Sequence, residues 1–172
     1  GYDNSDANFL SNIQTGPMAG GLVTFAAGNL NTDNPKKGYP ASYVSAIAVA
    51  SADHEDVKSD FSNYGAWVDI SAPGSGVYST TGSGYGIMSG TSMACPHVSG
   101  VAALVVSHIQ RPGLYPGEVW NRLRLSARSI LGQNPTMNGL LGSGHLDAFV
   151  ALQEPDAIPP SAIVDLEATE IH

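Results

Sequence analysis

The sequence predicts an α/β fold in which helices cover a mostly parallel β-sheet. Short, continuous apolar runs at 22–27, 47–51 and 67–72 have the pattern of strands that are buried on both faces. Two longer segments, 91–105 and 116–127, carry apolar residues at helical spacing. Buried strands combined with helices of this kind form sheets with helices packed on their faces.

Turn-forming residues end the predicted strands. The first run contains β-branched and aromatic residues and ends at Gly28 and Asn29, and the third is stopped by Pro73 and Gly74. A charged turn at 53–56 follows the second run, and we expect it to be solvated. Active sites of parallel sheets lie outside the carboxyl ends of the strands, which is where Gly28 and Asn29 fall.

The segment 89–105 predicts a serine presented at the start of a buried helix. Ser92 follows a glycine and a threonine, and Pro96 is expected in the first turn, where a missing N–H leaves no bond unmade. A helix start favours negative charge, which suits a nucleophile whose reaction develops an oxyanion. Ser92 is therefore a candidate nucleophile. The residues of the predicted core face follow at helical spacing: Val98, Val101, Ala102 and Val105.

Two alternatives for this segment remain open. Ser92 also has the residue type of an ordinary helix N-cap. Cys95, the single cysteine, is a second candidate nucleophile, but it lies a turn into the helix rather than at its exposed start. A small buried hydrophobic residue is the better interpretation of Cys95.

The remaining segments complete one predicted domain at 1–155. Short, glycine-punctuated β structure is expected at 77–87, Pro116 begins a second long helix, and Asp147 opens a last short helix. The final segment, 156–172, begins with prolines typical of a linker and continues with an alternating pattern. That pattern predicts the first strand of a following β domain.

Composition excludes several classes of function. The chain has 172 residues, 42% of them hydrophobic, which is enough for one core. A formal net charge of −8, with only 7 Lys and Arg, gives no electrostatic footprint for a nucleic-acid partner. No window reaches the roughly 20 apolar residues of a membrane span. One cysteine excludes an internal disulfide, and the low lysine and high glycine and serine content is typical of a secreted or cell-surface protein.

Two segments together carry a resemblance to a known family. They are AAGN at 26–29 and GTSMACPHVSG at 90–100, and both resemble the signature of the subtilisin-like serine proteases. GYPA at 38–41 and GSGHLD at 142–147 continue the similarity, which covers nearly all of 1–155. The resemblance implies the C-terminal half of a subtilisin-like catalytic domain, with an incomplete parallel sheet flanked by helices.

The resemblance also implies a reaction and the residues that carry it. Ser92 attacks the scissile carbonyl of a protein or peptide substrate. The tetrahedral oxyanion accepts hydrogen bonds from the Asn29 side-chain amide and from the Ser92 backbone N–H. Ala26, Ala27 and Gly28 leave room for a substrate side chain beside the serine, in the primary specificity pocket.

Cofactors and cations are constrained only in part. The chemistry implied by the resemblance requires no cofactor. Members of the family often carry structural calcium, so calcium or another cation is an expectation for the parent protein. Asp53, Glu55 and Asp56 are too loosely arranged to be assigned as a metal site, and no metal ligand is assigned in this sequence.

The sequence departs from the family at the other catalytic residues. Subtilisin-like proteases carry a catalytic Asp and then a catalytic His before the oxyanion Asn, and neither sequence context occurs here before Asn29. The first histidine is His54, and His97 lies on the helix of Ser92, where the family has a packing residue. We expect the Asp and His to lie upstream, this chain alone to be inactive, and its partner to be the missing N-terminal half or a second copy.

Two other functions are compatible with the residues. The first is a non-catalytic remnant of a subtilase that serves as a binding or scaffold module. The second is another serine hydrolase, because the residues around Ser92 come close to a nucleophile elbow and Asp147 with His172 would complete its order. The second is weak because 85–88 is a poor strand and His172 lies beyond the prolines.

Overall fold

The computed structural model describes residues 21–109 and 114–153. The linker and strand predicted at 156–172 lie outside the described residues. Three strands form a parallel sheet in the order β1 (Thr24–Ala26), β2 (Ile47–Ala52) and β3 (Ile70–Pro73). An antiparallel hairpin follows, made of β4 (Val77–Thr81) and β5 (Gly84–Met88). The helices are α1 (Thr91–Ile109), α2 (Pro116–Ser126) and α3 (Ala148–Leu152), and a short 3₁₀ helix spans Pro35–Lys37.

The central strand β2 is the most buried element of the sheet, as its uninterrupted apolar run predicts. All six of its residues are buried, and it pairs with β1 on one side and β3 on the other. The prediction that β1 is buried on both faces is wrong, because its residues are only half-buried. Among the described residues β1 pairs with β2 alone, so that it forms an edge of this sheet.

One face of the sheet is covered by α1, and this packing confirms the predicted core face of the helix. Val98, Val101, Ala102 and Val105 are all buried against Ile47, Val49 and Ile70 and the other members of one apolar cluster. Fully burying each such branched side chain contributes about 1.5–3 kcal/mol. Helices α2 and α3 close the same cluster with three buried residues: Val119, Leu123 and Ala151.

The third strand begins later than its apolar pattern predicts. Trp67 and Val68 belong to a turn, because Val68 N donates to Gly65 O at 3.0 Å. The indole N–H of Trp67 donates to Asp33 O at 2.9 Å. Pairing with β2 is regular only from Ile70. Hydrogen bonding within the turn therefore overrides the β propensity of these two residues.

Pro96 does not lie in the first turn of its helix, contrary to the prediction. Asn29 Oδ1 accepts a hydrogen bond from Thr91 N at 2.9 Å, and the helix begins at Thr91. Pro96 therefore falls in the helix interior, where its absent N–H would have bonded the carbonyl of Ser92. The Ser92 carbonyl consequently lacks its helical partner at the residue that the sequence singles out.

The turn at 53–56 is only partly solvated. Asp53 Oδ1 accepts from Glu55 N and Val57 N, each at 2.9 Å, which closes the turn. The side chain of Asp56 is only 15% exposed and lies 2.8 Å from an Arg128 nitrogen and 2.7 Å from His145 Nδ1. The expectation of a solvated turn is therefore wrong for Asp56.

Within the described ranges, one helix, α1, is long and apolar enough to cross a membrane, judged by length and composition alone. Core helices of soluble proteins have the same profile, and α1 carries its buried face against the sheet. The absence of a membrane span stays a prediction from sequence.

Candidate active site

Ser92 is the second residue of α1, and its side chain is exposed. Of the three backbone N–H groups at this helix start, two are hydrogen-bonded and one is not. Thr91 N donates to Asn29 Oδ1 and Met93 N donates to Gly90 O, whereas Ser92 N has no acceptor within the described residues. Unpaired first-turn N–H groups and the helix dipole favour negative charge at this point. Because Ser92 lies inside the helix and its hydroxyl makes no hydrogen bond in the described part of the chain, it does not act as an N-cap.

Asn29 lies in the loop that follows β1, at the carboxyl end of the strand, and it is exposed. Its Oδ1 accepts two hydrogen bonds from Thr91, from the backbone N and from Oγ1, each at 2.9 Å. These bonds fix which way the amide faces. The Nδ2 group is left as a free donor among the described residues.

Two N–H donors converge beside Gly90. A Cβ built on Gly90 would lie 3.6 Å from Asn29 Nδ2 and 3.7 Å from Ser92 N. Both nitrogens therefore lie close to one point beside Gly90, as does Met93 Sδ at 3.6 Å from the same position. The sequence predicts this pairing of Asn29 with Ser92, and the structure brings the two residues together across a separation of 92 − 29 = 63 positions.

The predicted pocket residues occupy different environments. Ala26 ends β1 and is half-buried, and Gly28 is also half-buried. Gly28 N donates to Thr91 Oγ1 at 3.1 Å, and its φ of +101° is a conformation that favours glycine. Ala27 is fully buried and packs with Ala50 in a second apolar cluster, away from solvent.

A cleft of about 330 Å³ lies beside Ser92, between the hairpin and the start of α1. Residues of the hairpin, including Val77, Thr81 and Met88, form one side, and Met93 and His97 belong to the other. Sequence reasoning missed this cleft. The glycine-punctuated pattern of 77–87 predicted β structure but not the side of the helix on which the hairpin lies.

The described histidines do not act on Ser92. His97 Nδ1 lies 2.8 Å from Met93 O of its own helix, in keeping with a packing role. His54 is exposed beside Glu55, and His145 is buried against Asp56. Within the described ranges no histidine is in contact with the Ser92 hydroxyl.

The alternative assignments find little support in the geometry. Cys95 Sγ lies 3.4 Å from Thr24 Oγ1 and donates to it, and burial raises the pKa of the thiol, which disfavours the reactive thiolate. Asp147 Oδ1 accepts from Val150 N and caps α3. Its proposed partner His172 lies outside the described residues.

No group of three or more metal-ligating side chains occurs in the part of the chain that the structure describes. Asp53 is engaged by the backbone of its own turn, and Asp56 is paired with Arg128. Two of the three carboxylates of the 53–56 turn are therefore already engaged within the protein.

Two polar residues of the site were not predicted. Thr91 is fully buried and bonds both Gly28 and Asn29. Asn63 is also fully buried and bonds the loop that carries Asn29. Thr91 lies within the motif at 90–100, but neither its residue type nor that of Asn63 indicates the distant contacts that it makes.

Comparisons with known proteins agree with this arrangement. The model of the Subtilase family matches residues 2–144. Thermitase from Thermoactinomyces vulgaris is 56% identical over 135 residues, which cover 78% of this chain and 45% of thermitase. Subtilisin Savinase from Lederbergia lenta is 38% identical over 152 residues, which cover 88% of this chain and 53% of that protein.

Solved structures give the same result. A protease from Pseudoalteromonas arctica PAMC 21717 superposes with a TM-score of 0.76 at 32% identity, covering 88% of this chain and 48% of that one. The prenylagaramide maturation protease PagA gives a TM-score of 0.74 at 30% identity, with 88% and 55% covered. The chain thus spans about half the length of these relatives.

Proposed function

Because this chain belongs to the subtilase family, we propose that it supplies the nucleophile and the oxyanion donors of a serine endopeptidase that acts on proteins or peptides. One observation carries the proposal. Asn29 Nδ2 and Ser92 N lie close to one point beside Gly90, the Ser92 side chain is exposed, and neither nitrogen donates a hydrogen bond among the described residues. A pair of free donors next to a hydroxyl is what acyl transfer requires.

In the proposed reaction, Ser92 Oγ attacks the scissile carbonyl carbon while its proton passes to a histidine base. The carbonyl oxygen becomes an oxyanion and accepts hydrogen bonds from Asn29 Nδ2 and Ser92 N. Collapse of the intermediate breaks the peptide C–N bond, and the histidine returns the proton to the leaving amine. Water then hydrolyses the acyl-enzyme by the same sequence.

The histidine base and its aspartate come from outside this chain in the proposed enzyme. Two observations support this. No described histidine contacts Ser92, and the chain covers only 45% of thermitase. The chain by itself should therefore be inactive.

The missing half is also the proposed binding partner of this chain. The edge of β1 pairs with no second strand among the described residues, and Leu104 and Val106, on either side of the buried Val105 of α1, are 52% and 50% exposed. Covering this surface would stabilise the chain, and an uncovered surface favours self-association. The composition, low in lysine and high in glycine and serine, supports secretion or a cell-surface location.

A non-catalytic scaffold is the second candidate function. The observation that favours it is the absence, within the described ranges, of a base on Ser92. The two candidates differ in whether the whole protein turns over substrate through Ser92.

The test compares the protein extended to include the missing half with this chain alone. We expect Ser92-dependent hydrolysis of a peptide amide, and labelling by a fluorophosphonate, only in the extended protein. Ser92→Ala should abolish both. Ser99→Ala, on the same helix with an exposed serine, is the matched control and should retain both.

Two outcomes of this test bear on the candidate functions, and a separate measurement bears on the proposed partner surface. An extended protein that is inactive and unlabelled would favour the scaffold. Ser92-dependent labelling of this chain alone would place the base within these 172 residues and contradict the proposal. Size-exclusion chromatography of the chain should show self-association, and a stable monomer would argue against the exposed partner surface.

A further inference from the structure

Asn63 is a fully buried amide in the loop between β2 and β3. Its Oδ1 accepts from Leu30 N at 2.9 Å and from Thr32 N at 3.3 Å. Its Nδ2 donates to Ala27 O at 2.8 Å, and its own backbone N donates to Gly28 O at 2.8 Å. Asn63 thus bonds the loop on both sides of Asn29 without touching Asn29 itself.

We propose that Asn63 is a positioning residue for the oxyanion donor: it holds the 27–32 backbone so that Asn29 Nδ2 faces the volume beside Ser92. The inference rests on the proposed function and adds a residue to it. The substrate class is the one proposed above, a protein or peptide whose scissile carbonyl undergoes acyl transfer.

Two contacts divide the task of fixing Asn29. Thr91 holds the side chain, because both of its donors bond Asn29 Oδ1. Asn63 holds the backbone, because its amide bonds residues before and after position 29. Without the Asn63 side chain, the backbone beside Asn29 would keep the main-chain bonds from Asn63 N to Gly28 O and from Asn31 N to Phe61 O. It would lose the side-chain bonds to Ala27, Leu30 and Thr32.

The close fit around Gly28 shows how tightly this loop is held. A Cβ on Gly28 would come within 2.6 Å of Asn63 Nδ2, so the loop passes directly over the buried amide. Loss of the Asn63 side chain would open this space and leave the N–H groups of Leu30 and Thr32 without their acceptor. Displacing a catalytic group by about 1 Å can reduce the rate by about 100-fold.

The test uses the extended protein and a double-mutant cycle on kcat. Asn63→Ala should lower kcat by about 10- to 100-fold and leave KM within about twofold, because the donor acts mainly in the transition state. In an Asn29→Ala background, Asn63→Ala should lower kcat no further, because the donor that it positions is gone.

Asn134→Ala is the matched control. Asn134 is also a buried asparagine that bonds three backbone groups, those of Asp56, Lys58 and Ile130, but it lies away from the site. It should lower the melting temperature about as much as Asn63→Ala and leave kcat unchanged. Asn63→Asp keeps the size and the accepting oxygen and loses the bond to Ala27 O, so it should fold and reduce kcat by less than Asn63→Ala.

The outcomes separate this inference from the proposed function. Equal losses of kcat from Asn63→Ala with and without Asn29, or a lower melting temperature with unchanged kcat, would assign Asn63 a structural role only and overturn the inference. If Asn29→Ala or Ser92→Ala leaves hydrolysis intact, the proposed function itself is wrong. The proposal is supported if Asn63→Ala lowers kcat when Asn29 is present and lowers it no further in the Asn29→Ala background.

Discussion

Two polar regions of the molecule differ in whether their polar groups contact partners within the protein. In the oxyanion corner, formed by Asn29, Gly90 and Ser92, two N–H donors face a shared volume without an acceptor among the described residues. In the Asp56 cluster, formed by Asp56, Arg128 and His145, each charge or ring lies within 2.8 Å of an opposite partner. The first region leaves donors open at an exposed helix start, and the second gathers its groups around the largely buried Asp56 carboxylate, with His145 buried and Arg128 58% exposed.

This difference separates chemistry from stability. The Asp56 cluster joins the turn after β2 to two later segments, through the contacts that Arg128 and His145 both make with the Asp56 carboxylate. The oxyanion corner leaves its donors available, and it relies on contacts outside itself, those of Thr91 and Asn63, to hold them in place. Disturbing the corner should therefore affect the rate, and disturbing the cluster should affect stability.

Removing the Asn29 amide should produce the larger loss within this comparison. Asn29→Ala in the extended protein should lower kcat by about 100- to 1,000-fold with KM little changed, a range known from removal of the corresponding donor in a subtilisin. The physical reason is that the oxyanion loses one of its two hydrogen bonds in the transition state. Steady-state hydrolysis of a peptide amide measures it.

Asn34→Ala is the matched control for this change. Asn34 is exposed and its Oδ1 accepts from Lys36 N within its own turn, so the variant removes an asparagine of similar local role far from Ser92. It should leave kcat unchanged. A kcat for Asn29→Ala equal to that of Asn34→Ala would remove the corner from the mechanism.

A methyl group placed between the two donors should have a smaller effect. Gly90→Ala puts a Cβ 3.6 Å from Asn29 Nδ2 and 3.7 Å from Ser92 N, at ordinary contact distances that require no rearrangement. The methyl group fills the volume that the oxyanion needs, so kcat should fall by about tenfold or more while the melting temperature changes little. Hydrolysis rates and thermal unfolding of the same preparation measure both.

Gly100→Ala provides the comparison for this substitution. Gly100 lies on α1 with no atom within 4 Å of a built Cβ, so alanine should raise stability by up to about 1 kcal/mol and leave kcat alone. An unchanged kcat in Gly90→Ala would mean that the oxyanion does not occupy the volume between the donors.

The sequence is sufficient to find the corner but not what holds it. Local patterns place Ser92 at a helix start and Asn29 after a strand, and the resemblance of 26–29 and 90–100 to the subtilisin-like serine proteases is what pairs them. The buried face of α1 and the whole of β2 follow from local patterns alone, from helical spacing and from a continuous apolar run. These features depend on neighbours a few residues away.

Contacts between distant segments are what the sequence does not reveal. Asn63 bonds Leu30 across 33 positions, and Arg128 bonds Asp56 across 72. No local pattern distinguishes these residues from solvated loop residues, and the 53–56 turn was therefore expected to be solvated. The same reason explains Pro96: its place in the helix depends on the bond from Thr91 N to Asn29, which fixes where the helix begins.

The Asp56 cluster should respond to pH in stability rather than in rate, and this is the smallest of the expected effects. Burial is the largest influence on the pKa of His145 and lowers it. The neighbouring Asp56 only partly opposes that shift. Arg128 lowers the pKa as well, and Asp147 raises it. The unfolded chain, in which a histidine titrates near about 6.5, then binds a proton more readily than the folded chain. Stability contributed by neutral His145 is present above the unfolded pKa and is lost as the pH falls below it.

His145→Gln removes this titration and should flatten the acid side of the stability profile between about pH 7 and pH 5, a change of a few degrees in melting temperature. The control His54→Gln makes the same change at a histidine whose side chain is 88% exposed, and it should keep the wild-type slope. Burial raises the pKa of Asp69, which adds stability as the pH falls and is common to all three proteins. Parallel profiles for wild type and His145→Gln would show that the cluster stabilises the fold without sensing pH, and a changed kcat at pH 8 would break its separation from the oxyanion corner.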